Sequence, residues 1–520
     1  MTRSIAALVV FTVALAISAA DPPKPKFKLG KDTTFVDGPL DKDGYVDYET
    51  ALNERLRGKI KPEDNAVVLL VQAIGPKPEG NELHADFYKW LGTKTPPESG
   101  DYLVRDSTFF REEYRADDTR SHFDLESQLR RAPWKAKDHP KFAEWLKTNE
   151  KPLTLVIEAS KRTEYFHPLI SRTKTGERGM LIGPTMPIAV QTRQFGSLLV
   201  TRAMLHLGEG RAEAAWDDLL ALHCLGRQLS RSGSLMGTLI GIALESIAMH
   251  ATVVFIETTK PTSEQVAKYQ ADLRRLQPMA SLADIVGLSE RFTFLDATQY
   301  MACKARDNTE DTVLALVGED APQEVIDKVT LGLDWVGVMR TGNKWYDRLE
   351  QALRADAAKE RVELFRAMDE ELKKMAEKAR DMTEVKKLIA AGDTDQLAAV
   401  ISKKIGHVQI GLMVPAFQKM RETVDRAEQQ NRNLYLAFAL TAYHADHKKY
   451  PAALADLAPK YIERVPTDLF SGKSLVYKPT DAGYLLYSVG VNGTDDGGKT
   501  FGDDPPGDDL RIRMPSAKVK

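Results

Sequence analysis

Apolar side chains recur at helical spacing along most of this chain, and text suited to strands occurs only after Pro451. That distribution confines the fold to a mainly α class: a helical body of antiparallel hairpins with a small C-terminal α+β domain. The clearest stripe is Ala215, Leu219, Leu222, Gly226 and Leu229, which predicts a helix over 211–230. A preceding helix over 194–207 is stopped by Gly208-Glu209-Gly210, and so short a break makes the two an antiparallel pair. The hairpin resembles those of helical-repeat proteins, but no second copy follows one repeat later.

Similar spacing predicts helices over 48–57, 61–74 with Pro62 in the first turn, 140–148, 153–162, 282–304, 322–333 and 335–354. Thr262-Ser263-Glu264 starts another, and the charged stretch 355–380 reads as a solvated helix. Residues 76–135 are punctuated by Pro and Gly and read as short elements with long surface loops, and a further loop is expected after the helix ending at 162, through Pro187. A long helix over 413–447, with Pro415 in its first turn, ends at Tyr450-Pro451. Strand-like runs follow at 475–478 and 484–489. Three regions result: a loop-rich N-terminal part with short helices (21–190), a helical domain (191–410), and the long helix with its strand-bearing module (411–515).

The stretch 235–256 is apolar nearly all round and long enough to span a bilayer, so no face of it is obviously wet. A central carboxylate, Glu245, would cost about 2.5–3.5 kcal/mol in lipid. A buried core helix is the expectation, with Glu245 paired to an arginine such as Arg202 or Arg227. The other reading makes it an acid of raised pKa.

Arg3, the uncharged apolar run from Ile5 to Ala19, the small residues Ser18 to Ala20 and the break at Asp21-Pro22-Pro23 match a secretion signal cleaved after Ala20. An uncleaved anchor is the alternative. No cysteine precedes Cys224, which excludes a lipoprotein, and no arginine pair diverts the chain from the general secretion route. The expected address is therefore periplasmic or secreted, with no stable membrane span in the mature chain. Seventy-two basic against 74 acidic residues leave a formal charge of -2, which gives no electrostatic footprint for nucleic acid. Cys224 and Cys303 are too few for a disulfide scaffold, and two buried thiols are expected in preference to a bridge.

One segment carries a resemblance. The runs Leu440-Thr-Ala-Tyr-His-Ala-Asp-His-Lys-Lys-Tyr-Pro, Val465-Pro-Thr-Asp-Leu-Phe-Ser-Gly and Gly483-Tyr-Leu-Leu-Tyr-Ser-Val-Gly-Val-Asn-Gly-Thr-Asp-Asp-Gly-Gly occur in that order. Over 431–514 the chain resembles the globular head of the type II secretion major pseudopilin. The resemblance implies a long helix ending at Tyr-Pro, a Pro-Asp-Phe-Gly-like turn, a small antiparallel sheet and an Asp/Gly loop. In that family the loop binds calcium, which implies Asn492, Asp495 and Asp508 as ligands here. The family's own N-terminal cleavage site and filament-building apolar helix are absent, because the matching helix is internal and polar around 421–432. The resemblance thus implies a head module rather than a fibre subunit.

Other motifs read plainly. Seven oxygen-bearing residues between Asn492 and Asp509 suit calcium, or else an unliganded acidic loop. Asp41, Asp43, Gly44 and Asp47 mimic half of an EF-hand, but Pro39 and Thr50 stand where its first and last ligands belong, so an Asp-Gly turn capping a helix is expected. Gly472-Lys473-Ser474 lacks the upstream glycine of a phosphate loop, having Thr467 there. His444 and His447 are read as helix-terminal histidines favoured by the dipole rather than metal ligands. With no catalytic set evident, the expected function is non-enzymatic: binding or scaffolding an envelope or extracellular protein. The alternative is an exported hydrolase with its site in 76–190, among Trp90, Tyr102, Trp134 and His167.

Overall fold

A computed structural model describes residues 27–516 apart from 79–81, 113–118, 172–179, 182–185, 304–308, 319–320, 356–357 and 481. The expected leader, 1–20, lies outside the described residues. The N-terminal helices are α1 (Tyr48–Arg57), α2 (Ala66–Ile74), α3 (Ala85–Leu91), α4 (Asp106–Phe109), α5 (Thr119–Leu129), α6 (Pro140–Thr148) and α7 (Glu150–Ser160). Next come α8 (Pro187–Gly208), α9 (Ala212–Ser230), α10 (Leu235–Thr259), α11 (Ser263–Arg275), α12 (Leu282–Ile285) and α13 (Arg291–Cys303). The last are α14 (Thr309–Val317), α15 (Gln323–Leu331), α16 (Trp335–Arg354), α17 (Ala358–Arg380), α18 (Thr383–Ala391) and α19 (Thr394–His447). Strands β1 (Val476–Thr480), β2 (Gly483–Ser488) and β3 (Leu510–Met514) form an antiparallel sheet in the order β1-β2-β3. The fold is mainly α with this one small sheet among the described residues.

Many helix starts follow local side chains. Asp47 accepts the Thr50 N–H at the head of α1, Ser234 that of Gly237, Asp334 that of Gly337, and Asp393 that of Gln396. Thr262 and Gln265 form a reciprocal capping box on α11.

Five sequence expectations are corrected. α2 begins at Ala66 rather than 61, because Asn65 caps it by accepting the Val67 N–H. α7 begins at Glu150, three residues early, and α8 begins at Pro187 where a loop was expected, with the proline in the first turn. The helix expected over 282–304 is interrupted by a π turn at Val286–Glu290. Finally, α19 is one continuous 54-residue helix, so Pro415 lies inside it and the boundary drawn at 410–411 falls mid-helix. Proline deprives the Gly411 carbonyl of its partner. Both residues are on the exposed side, where water can serve that carbonyl.

α19 touches α10, α11, α15, α16, α17 and α18 as well as β2 and β3, so body and C-terminal module share one axis. Tyr484 and Leu486 of β2 lie in the same core as Leu434 and Phe438 of α19. α9 and α10 approach at glycines. A methyl group built on Gly241 would stand 2.5 Å from the Gly226 carbonyl oxygen, and one on Gly226 would stand 2.9 Å from the Glu245 nitrogen. Only hydrogen fits at either position.

The loop-rich N-terminal part has few strands to satisfy its backbone, and buried carboxamides take their place. Asn53 donates to the Leu169 carbonyl and accepts the Leu169 N–H, at 2.8 and 2.9 Å. Asn65 does the same with Phe166, Asn149 with Val104, and Gln299 with Val46. Each amide side chain imitates a neighbouring strand, which meets the requirement that buried peptide groups be paired.

Candidate functional site

Two places gather ionisable groups: the acidic loop between β2 and β3, and the dry seam between α9 and α10.

The loop is organised by its own backbone. Asn492 Oδ1 accepts the Thr494 N–H (2.7 Å), and Asp495 Oδ1 accepts the Gly497 N–H and the Tyr487 hydroxyl, both at 2.9 Å. Asp508 accepts the Asn492 N–H at 2.9 Å and is paired with Arg426 of α19. Asp496 takes the Asp508 N–H and the Asn492 carboxamide, which lowers its pKa. Asp503 is drawn down to about 2 by the Thr500 N–H and by Arg511. Among the described residues no three of His, Cys, Asp and Glu are close enough to hold a metal ion. The donors present are all oxygens and so suit calcium in kind. Asp509 is the unbalanced member. It is 1% exposed, its Oδ2 accepts the Gly498 N–H (2.7 Å), and its Oδ1 is buried without a hydrogen-bond partner. Burial raises its pKa, the backbone N–H groups of Gly498 and, more loosely, Asp496 oppose this, and the charges of Asp496 and Asp495 add to the rise. Of the three residues implied by resemblance, Asn492 and Asp508 share the Asp496 network with one another, and Asp508 already has a cation. Asp509 was missed because its neighbours along the chain give no hint of burial.

Upstream of the sheet, Asp468 is buried and fully committed. It accepts the N–H groups of Phe470 and Val489 and the hydroxyls of Ser471 and Ser488, tying the turn after Pro466 to the end of β2.

In the body, Thr252, His223 and Glu245 fall in a row. His223 Nε2 is 3.0 Å from Thr252 Oγ1, and its Nδ1 is 3.1 Å from Glu245 Oε2. Arg227 Nε donates to Glu245 Oε1 at 3.1 Å and Nη1 to the Leu273 carbonyl at 3.2 Å. Burial alone would raise Glu245, but His223 and Arg227 beside it outweigh that and hold it below the usual carboxylate range. Hydroxyl, imidazole and carboxylate in line is the geometry of a nucleophilic triad. Here Thr252 and His223 are 0% exposed, and the threonine hydroxyl also donates to the Ala248 carbonyl at 2.8 Å, so no substrate reaches it. The row is a sealed ion network. Of the two anticipated partners of Glu245, Arg227 is the one used; Arg202 instead forks onto Asp218. The clue lay in two one-face spacings, His223 to Arg227 and Glu245 to Thr252.

The four residues singled out in 76–190 face different neighbours. Tyr102 donates to the Pro97 carbonyl, Trp134 to the Thr201 carbonyl, and Trp90 packs on Phe166 beside a shallow groove shared with Arg57 and Asp86. His167 is buried edge-on against Phe87, and burial pushes its pKa down to about 4. His447 turns to Tyr461 and His444 stacks on Tyr450, so the two do not converge. Burial lowers the His444 pKa, against the rise a helix dipole alone would give. Asp41 accepts the N–H groups of Asp43 and Tyr45, forming the expected turn ahead of α1. Gly472 closes a turn onto the Asp468 carbonyl. Cys224 and Cys303 are half-buried thiols not joined in a disulfide, and burial pushes Cys224 up to about 12. Among the described residues two helices, α10 and α19, are long and apolar enough to cross a membrane by length and composition; α10 is packed between α8, α9 and α19.

Comparison with models of known protein families, with curated proteins and with solved structures found no match.

Proposed function

We propose that this chain is an exported bacterial envelope protein that binds or scaffolds an envelope or extracellular protein, and that calcium stabilises its pseudopilin-like C-terminal module. Support for the module comes from element order. A long helix ends at His447, Tyr450-Pro451 follows, the Asp468 turn leads into β1 and β2, and the acidic loop precedes β3. Support for calcium rests on the buried, unpartnered Oδ1 of Asp509 beside the charges of Asp495 and Asp496. With Asp509 added to Asn492, Asp495 and Asp508, the loop would offer the oxygen donors a calcium ion takes. The bound ion would add its charge to those of Arg426, Arg511 and Lys478 already beside the loop.

The test uses the whole chain. Its melting midpoint in calcium should exceed that in chelator, and an unchanged midpoint removes the calcium reading. N-terminal sequencing of protein from periplasmic extract should begin at Asp21. Material that stays in the cytoplasm with Met1 intact would overturn the export reading. Crosslinking in envelope fractions, followed by identification of the attached chain, tests the scaffold reading.

A further inference from the structure

Away from the acidic loop, an open groove of about 590 Å³ lies where α10, α19 and β3 meet the end of α5. Val200, Ile247, Val253, Val254, Leu434 and Ile512 give it an apolar floor, and among the described residues no carboxylate lines it. Its charged lining is entirely arginine: Arg130 and Arg131 after α5, Arg511 and Arg513 on β3. Two of these are engaged. Arg511 is held by Asp503 (2.8 Å) and the Gly498 carbonyl (3.0 Å), and Arg130 donates to Ser197 at 3.2 Å with Glu126 at 3.7 Å. Arg131 and Arg513 have no carboxylate partner among the described residues.

The volume falls in the range of small-molecule sites, roughly 300–1,000 Å³. The floor also discriminates between a tail and a peptide. Asn433 Nδ2 is committed to the Leu510 carbonyl (2.8 Å), its Oδ1 takes the Gln429 carboxamide (2.7 Å), and Ser246 faces Gln430. With Asn433 committed, a peptide laid here would have to satisfy its amides on the few polar groups left, Ser127, His250 and Gln430, and each amide left unpaired would cost about 1–3 kcal/mol. An alkyl chain has no amides to strand.

We infer that this groove binds a single-chain anionic amphiphile, a long-chain fatty carboxylate. The tail lies along Val253, Val254 and Ile512, and the carboxylate is met by the unpaired guanidinium groups of Arg131 and Arg513. Arginine suits the task because its planar fork matches a carboxylate and stays charged. The inference is independent of calcium and of export.

The experiment titrates the full chain with a dansyl-labelled undecanoate and displaces it with oleate, with oleyl alcohol, and with an acidic peptide. Saturable binding is expected, displaced by oleate about tenfold or more better than by the alcohol. The Arg131→Ala/Arg513→Ala double variant should weaken oleate by about tenfold at an unchanged melting midpoint, and the Lys pair should recover part of it. Val254→Glu, which places a like charge on the floor, should abolish binding. Absence of saturable binding, equal displacement by acid and alcohol, a double variant that binds like the parent, or displacement by the peptide in preference to oleate would each overturn the proposal. Should the double variant melt early, the acid-to-alcohol ratio on the unaltered chain decides alone.

Discussion

Glu245 and Asp509 are both buried carboxylates, 3% and 1% exposed, and their surroundings push them in opposite directions. Around Glu245 the chain supplies His223 and Arg227, and the acid is held ionised against the cost of burial. Around Asp509 burial dominates, opposed by backbone N–H groups and reinforced by the carboxylates of Asp496 and Asp495, so the acid is pushed toward its neutral form. The first site carries its own counter-charges, although Glu245 Oε2, His223 Nδ1 and Arg227 Nη2 meet as ion pairs without aligned hydrogen bonds. The second has no cation bonded to it, Lys478 acting only from a distance, and that difference is what singles it out as the site proposed above for a cation.

The largest expected effect comes from breaking the first site. Glu245→Ala would leave Arg227 buried without its counter-charge and should cost about 3–5 kcal/mol in urea unfolding. Replacing Glu245, Arg227 and His223 together by apolar residues of similar volume should recover most of that, since a whole buried pair is often dispensable. Equal losses in both variants would erase the distinction. Calcium should next raise the stability of the unaltered chain by about 2.7 kcal/mol at a hundredfold excess over its Kd. Asp509→Asn should abolish that response and Thr252→Val should leave it intact, as calorimetry with calcium or chelator would show.

Acidity sharpens the same contrast. The folded pKa of Glu245 is lowered, so its contribution is present above about 4.5, the ordinary value, and is lost as pH falls below it toward the folded value. The folded pKa of Asp509 is raised, so without calcium its contribution is present below about 3.8 and is lost as pH rises through the folded value. Denaturation midpoints of Glu245→Gln should therefore be flatter than the parent's below pH 4.5. Those of Asp509→Asn in chelator should be flatter as pH rises from 4. The smallest effect is the resulting gain of Asp509→Asn at neutral pH without calcium, within about 1 kcal/mol.

Much of the fold was legible in the sequence because its signals are local. The cap at Asp47, the capping box at Thr262 and the stripe through Leu219 and Leu222 fix their helices with residues a few positions apart. The misses depend on distant partners. α2 starts late because Asn65 is engaged with Phe166, a hundred positions downstream, and Pro415 is tolerated because its side of α19 is wet. The row Thr252–His223–Glu245 needed the α9–α10 register, which Gly226 and Gly241 set by close approach. Within the candidate metal loop, the sequence supplied the kind of donor but not which carboxylate is sealed from water.

α19 has a mechanical consequence. At about 1.5 Å per residue its 54 residues make a beam about 80 Å long, and the stretch that carries the sheet at Asn433 is also gripped by the body at Gln430 and Phe438. A sideways load on the sheet is therefore delivered as torque to the body, since no flexible joint separates them along this helix.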